Sequence, residues 1–151
     1  MNPSVLTTII LGLAGLLLTL IYNYHNRRMA KDRMNKELFT EFNKRYDSLN
    51  EYLEQIVSTC NNINELNAQP ILRYKLNDYF NLCAEEYYWH TKNRIDKRIW
   101  HSWEEGMNRW YNKYPVIQEA WDEELLNYGH KTFYMKNGQQ FFIRRAPDRT
   151  G

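Results

Sequence analysis

Apolar residues along this chain follow several distinct rhythms. From Ser4 to Tyr22 the run SVLTTIILGLAGLLLTLIY holds no charged residue. A helix of that length, at about 1.5 Å per residue, just crosses a hydrocarbon core of roughly 30 Å. A transmembrane helix is therefore predicted over about residues 4–22. Farther on, Leu38, Phe42, Arg45 or Tyr46, Leu49, Leu53, Ile56, Cys60 and Ile63 recur every three or four positions, opposite Glu37, Glu41, Lys44, Asp47, Glu51 and Glu54. That is an amphipathic helix with a narrow apolar stripe. Neither Pro nor Gly occurs between Gly15 and Pro70, so the membrane helix is expected to run into this second segment without a break. So narrow a stripe suits either a coiled coil with a second copy or packing on helices of the same chain.

The stretch NNINELNAQP, ending in Pro70, marks the first break. After it, Leu72, Leu76, Tyr79, Phe80, Cys83, Tyr87 and His90 share one side of a helix, while Leu82 and Trp89 form a second patch, which predicts cover on more than one face. Asp96 is a candidate N-cap for a third helix, striped with Ile99, Trp103, Met107 and Trp110. The chain turns near Tyr114-Pro115. A fourth helix then presents Ile117, Ala120, Trp121 and Leu125, and Gly129 supplies its stop. In FYMKNGQQFFI, Asn137-Gly138 stands between two aromatic-rich runs, a strong hairpin signal. The competing reading of 132–143 is a fifth, frayed helix. A two-stranded hairpin alone is marginal in water, so it needs the bundle or a neighbour to pack on.

The expected fold is thus all-α. A transmembrane helix within residues 1–26 continues into a helical domain of about four helices over 27–145, with a candidate C-terminal β-hairpin and a flexible tail over 146–151.

Composition and charge refine this picture. The chain has 151 residues, enough for one core and a short appendage. All 20 Lys and Arg and all 18 Asp and Glu lie beyond Asn26, for a formal net charge of +2. That excludes the strongly basic surface of a dedicated nucleic-acid binder, and RNA contact would have to come from a local patch. The opening MNP carries no basic side chain and no A-x-A-like site follows the apolar run, which favours an anchor over a cleaved signal peptide. Arg27, Arg28, Lys31, Arg33 and Lys36 come directly after it. By the positive-inside rule they stay in the cytoplasm, with the N-terminus outside an inner membrane that the chain crosses once. The same cluster suits anionic lipid headgroups. Cys60 and Cys83 stand singly on apolar-patterned segments of a domain placed in a reducing compartment, so buried thiols are expected in preference to a disulfide. Four His and two separated Cys lack the paired spacing of a zinc site, and no metal or cofactor is expected.

Three features bear on chemistry. Within the span, Ser4, Thr8, Gly12, Gly15 and Thr19 follow at intervals of four, four, three and four, so small residues line one face and leave room for close helix–helix approach. The readings open here are self-association, a lone anchor whose Thr hydroxyls bond back to its own backbone, and a ring of copies around a pore. All five Trp lie in the domain. Most are expected in the core, with Trp100 and Tyr88 the ones to reach a surface. The adjacent acids Glu85-Glu86, Glu104-Glu105 and Glu123-Glu124 are each read as a solvated helix face, since neighbours point about 100° apart.

The third feature is RIDKRIWH, residues 94–101, where Arg94 and His101 have six residues between them. If the helix includes Arg94, the two share a face nearly two turns apart. His could serve as general acid or base, and Arg could stabilise a phosphorane. The reading beside it is a salt-bridged polar face of Lys97, Arg98, His101, Glu105 and Arg109. In the Arg-to-His spacing the chain resembles the HEPN superfamily of helical nucleases and nucleotide-binding proteins, although Ile95 stands where that family usually has a polar residue. The resemblance implies a composite site completed by dimerisation, with Arg94 and His101 catalytic. The layout of one N-terminal span before a HEPN-like bundle also resembles the small membrane-anchored accessory proteins of type VI CRISPR systems, which implies membrane pores and antiviral defence. The function expected is non-enzymatic: an oligomeric membrane scaffold or pore-type accessory contacting the lipid bilayer and a cytoplasmic protein partner. The alternative is a membrane-tethered HEPN-like ribonuclease acting on RNA.

Overall fold

A computed structural model describes residues 2–136 and 138–145. It comprises α1 (Pro3–Thr59), α2 (Ile63–Asn67), α3 (Pro70–Thr91), α4 (Lys97–Lys113), α5 (Pro115–Tyr128) and a 3-10 turn (His130–Phe133). The chain divides into two compact units between Glu37 and Leu38. The first unit holds the N-terminal part of α1. Its apolar window, of mean hydropathy 2.4, is wholly uncovered, and α1 is long and apolar enough there to cross a membrane.

The second unit is a helical bundle, and its boundaries follow from local chemistry. Asn62 caps α2 by accepting from the Glu65 N–H, while the Glu65 carboxylate accepts from the Asn61 N–H at 2.7 Å. Pro70 and Pro115 occupy the first turns of α3 and α5, where a missing N–H costs nothing. The Asp96 side chain accepts from the Arg98 N–H and starts α4. Gly129, at φ 75°, ends α5 in a conformation that a side chain would strain.

The apolar stripe of α1 is consumed inside its own chain: Phe42, Leu49, Leu53 and Ile56 are buried. α3 packs against α2 and α4, and α5 against the same two helices. Trp121 of α5 sits at the centre, its ring 4.7–5.1 Å from those of Phe80, Phe133, Phe141 and Phe142. Cys60 and Cys83 are buried and free. Two of the three acid pairs, Glu85-Glu86 and Glu123-Glu124, are not simple solvated faces. Glu86 and Glu124 are only 6% exposed, and Glu124 pairs with Arg73 of α3 at 2.7 Å. Trp100 is likewise inside, stacked on His90 at 4.4 Å. It turns inward because the buried face of α4 runs through Trp100, Met107, Asn108 and Tyr111, rotated from the expected stripe of Ile99, Trp103, Met107 and Trp110.

No strand forms among the described residues, which corrects the expected hairpin. After the 3-10 turn, Tyr134 adopts a left-handed conformation at φ 58°, and Phe141 and Phe142 are both buried. A strand would point those neighbours to opposite faces. The backbone finds its partners on α4 instead. Asn108 Oδ1 accepts from the Ile143 N–H at 2.6 Å, and Asn112 accepts from the Arg145 N–H and donates to the Ile143 carbonyl. Two side-chain amides one turn apart thus stand in for a neighbouring strand. Asn137, the first turn residue of the expected hairpin, and the tail 146–151 lie outside the described residues.

Candidate functional site

The small-residue face of the span is open. Nothing lies within 4 Å of where a Cβ would stand on Gly12 or Gly15. The Thr8 hydroxyl donates to the Ser4 carbonyl at 3.0 Å and that of Thr19 to the Gly15 carbonyl at 2.9 Å, so both are satisfied within the helix. Arg27, Arg28, Lys31, Arg33 and Lys36 are all exposed. Five positive charges opposed only by Asp32 at the end of an apolar helix suit a phosphate headgroup layer.

Arg94 and His101 do not share a helix. α3 closes in a Schellman motif: the Asn93 N–H donates to the His90 carbonyl and the Arg94 N–H to the Trp89 carbonyl, with Asn93 left-handed at φ 55°. Arg94 therefore belongs to the end of α3, and Asp96 opens α4 two residues later. Both Arg94 and His101 are exposed, and Ile95 between them is buried. The polar face of α4 is partly tied: Arg98 pairs with Asp96 at 3.5 Å and Glu105 with Arg145 at 2.7 Å. The Arg145 guanidinium beside Glu105 holds that carboxyl below its ordinary range.

A pocket of about 160 Å³ between α1, α3 and α4 is the constellation that the apolar rhythm alone concealed. Tyr46, Tyr79 and Trp103 line it with Leu82, Met107 and the acid Glu86. Trp103 is held from behind by Phe39 and Phe42, at ring distances of 6.1 and 5.7 Å. Tyr46 is fixed by the Trp110 indole N–H, which donates to its hydroxyl at 2.9 Å. Glu86 makes no hydrogen bond or ion pair with the described residues. The nearby Arg45 is committed to Glu85 through two bonds of 2.6 and 3.1 Å. Burial pushes the Glu86 carboxyl up to about 8; the charge of Arg45 opposes that rise and Glu85 adds to it. The Tyr79 hydroxyl is buried without a hydrogen-bond partner, and desolvation raises it well above the usual phenol range. The sequence did carry a signal. Glu86 falls on the Leu76, Tyr79, Cys83, His90 stripe of α3, an acid among apolar and aromatic side chains.

No protein-family model matches this chain, and neither a curated protein nor a solved structure matches it.

Proposed function

We propose that the chain is a single-pass inner-membrane protein, N-terminus outside and helical domain in the cytoplasm. It acts without catalysis as an oligomeric scaffold or membrane-perturbing accessory, with antiviral defence as the setting that its layout suggests. One observation carries this reading: an uncovered apolar helix segment joined to a domain whose core closes on itself. Such a segment is unstable in water and stable in lipid. The runner-up, a HEPN-like ribonuclease built on Arg94 and His101, has weaker support, because the Schellman turn takes Arg94 off the helix that carries His101.

Three measurements test the reading. Alkaline carbonate should leave the protein in the membrane pellet, and protease should reach the domain in inverted vesicles and not in intact spheroplasts. Release by carbonate, or the opposite protection pattern, overturns the anchor or its orientation. Dye release from loaded liposomes separates a membrane-perturbing role from a scaffold. Arg94→Ala with His101→Ala should leave both behaviours and any phenotype unchanged at equal expression. An RNA cleavage activity that this double variant abolishes would establish the nuclease instead.

A further inference from the structure

A buried carboxyl with no partner is costly, and folded proteins keep such groups paired or give them work. Among the described residues Glu86 has neither an ion pair nor a hydrogen bond, although Arg45 is close enough to influence it. Around it the described groups are Tyr46 and Arg45 from α1 and Tyr79, Cys83 and Glu85 from α3. α4 lines the pocket with Ser102, Trp103, Gly106 and Met107, none of them ionisable. The site therefore holds a latent negative charge whose nearby cation, Arg45, is bonded to Glu85.

The remaining walls are chosen in the same sense. Indole and phenol rings attract cations through their electron-rich faces, tryptophan most strongly, and the attraction grows where water is excluded. A cavity of about 150 Å³ takes up a benzene-sized molecule, so this pocket is on the scale of a short alkyl chain with a polar head. Leu82 and Met107 offer that chain an apolar surface. We propose that this pocket binds a small organic ammonium ion, its charged head against the Glu86 carboxylate and within the Tyr46, Tyr79 and Trp103 rings. A hard metal ion fits such walls poorly, since it favours several charged or carbonyl oxygens and the pocket offers one carboxylate beside the neutral side chains of Asn43, Ser102 and two tyrosines.

Binding of an ammonium ion requires the ionised carboxylate, so it must expel the proton that burial retains up to about pH 8. Alkylamines stay charged to about pH 10, as lysine does. Affinity should therefore rise close to tenfold per pH unit from pH 6 to 8 and level off above. The test uses the full chain in non-ionic detergent micelles, titrated calorimetrically with n-butylammonium chloride at constant ionic strength, beside 1-butanol as the neutral analogue. Saturable binding of the ammonium alone is expected, at least tenfold weaker in Glu86→Gln and several-fold weaker in Trp103→Leu. The proposal is overturned if 1-butanol binds as well, if Glu86→Gln binds equally, or if no saturable heat appears. Should Glu86→Gln fail to fold, the pH slope of the unaltered protein and the Trp103→Leu variant still decide the matter.

Discussion

Glu86 occupies a place where the rhythm of α3 otherwise sets a hydrophobic side chain, and its proton is part of how the fold tolerates it. In the unfolded chain the carboxyl titrates near its ordinary 4.5, whereas in the fold it holds the proton to about 8. The folded state thus binds more protons than the unfolded state between these values. Stability from this group is complete below about pH 4.5 and declines as pH rises toward 8. At about 1.4 kcal/mol per pH unit, the loss is on the order of a few kcal/mol. Glu86→Gln removes the ionisation and keeps the shape. Its thermal midpoint, followed by circular dichroism, should match the parent near pH 5 and exceed it by several degrees at pH 8. Parallel pH profiles for the two proteins would show that the carboxyl is solvated after all. The other inward acid, Glu124, is managed differently, by direct pairing with Arg73, so the two buried carboxyls illustrate neutralisation by proton and by ion pair.

At the scale of elements, the C-terminal segment is held by amides on a helix. Asn108, 1% exposed, receives the Ile143 N–H, and Asn112 grips the backbone on both sides of Arg144. Asn108→Ala with Asn112→Ala leaves those backbone groups without partners, at about 1–3 kcal/mol for a buried one. Limited trypsin digestion should then cut at Arg144 and Arg145 markedly faster than in the parent, while the helical circular dichroism is retained; unchanged cleavage rates would mean that Phe141 and Phe142 hold the segment unaided. This segment is also where sequence reading fell short. α3, α4 and α5 were legible because their signals are local: Pro70, Asp96, Pro115 and Gly129 act within one turn of where they stand. The hairpin signal was local too, but the partner that displaced a second strand lies some thirty residues back on α4, and no periodicity announces a side-chain amide acting as a strand. Trp100 was misplaced for a related reason, since which stripe of α4 turns inward depends on the aromatic rings of α3 and the C-terminal segment. In the candidate site the residue types were visible, but the emptiness around Glu86 was not, because it depends on Arg45 choosing Glu85.

For the molecule as a whole, the stripe from Phe42 to Cys60 closes an option that the sequence left open. Its residues are buried among helices of the same chain, so that face is not free to form a coiled coil with a second copy. Self-association is then expected to use the N-terminal apolar segment, where Gly12 and Gly15 face open space. A Cβ added at either meets no neighbouring element within 4 Å, and the change improves helix propensity, so a change in assembly reports contacts between copies. Every buried hydrophobic residue among the described residues lies at or beyond Phe42, and the domain should therefore fold without the span. A chain starting at Leu38 is expected to be soluble, monomeric and helical, with cooperative thermal unfolding. The full chain in detergent should run as an oligomer in light-scattering mass measurements, and Gly12→Leu with Gly15→Leu should reduce it toward a monomer. An oligomeric domain lacking the span would move the contact to a surface of the bundle. A monomeric full chain would leave the Thr8 and Thr19 hydroxyls bonding only to their own helix, and would make the protein a solitary anchor.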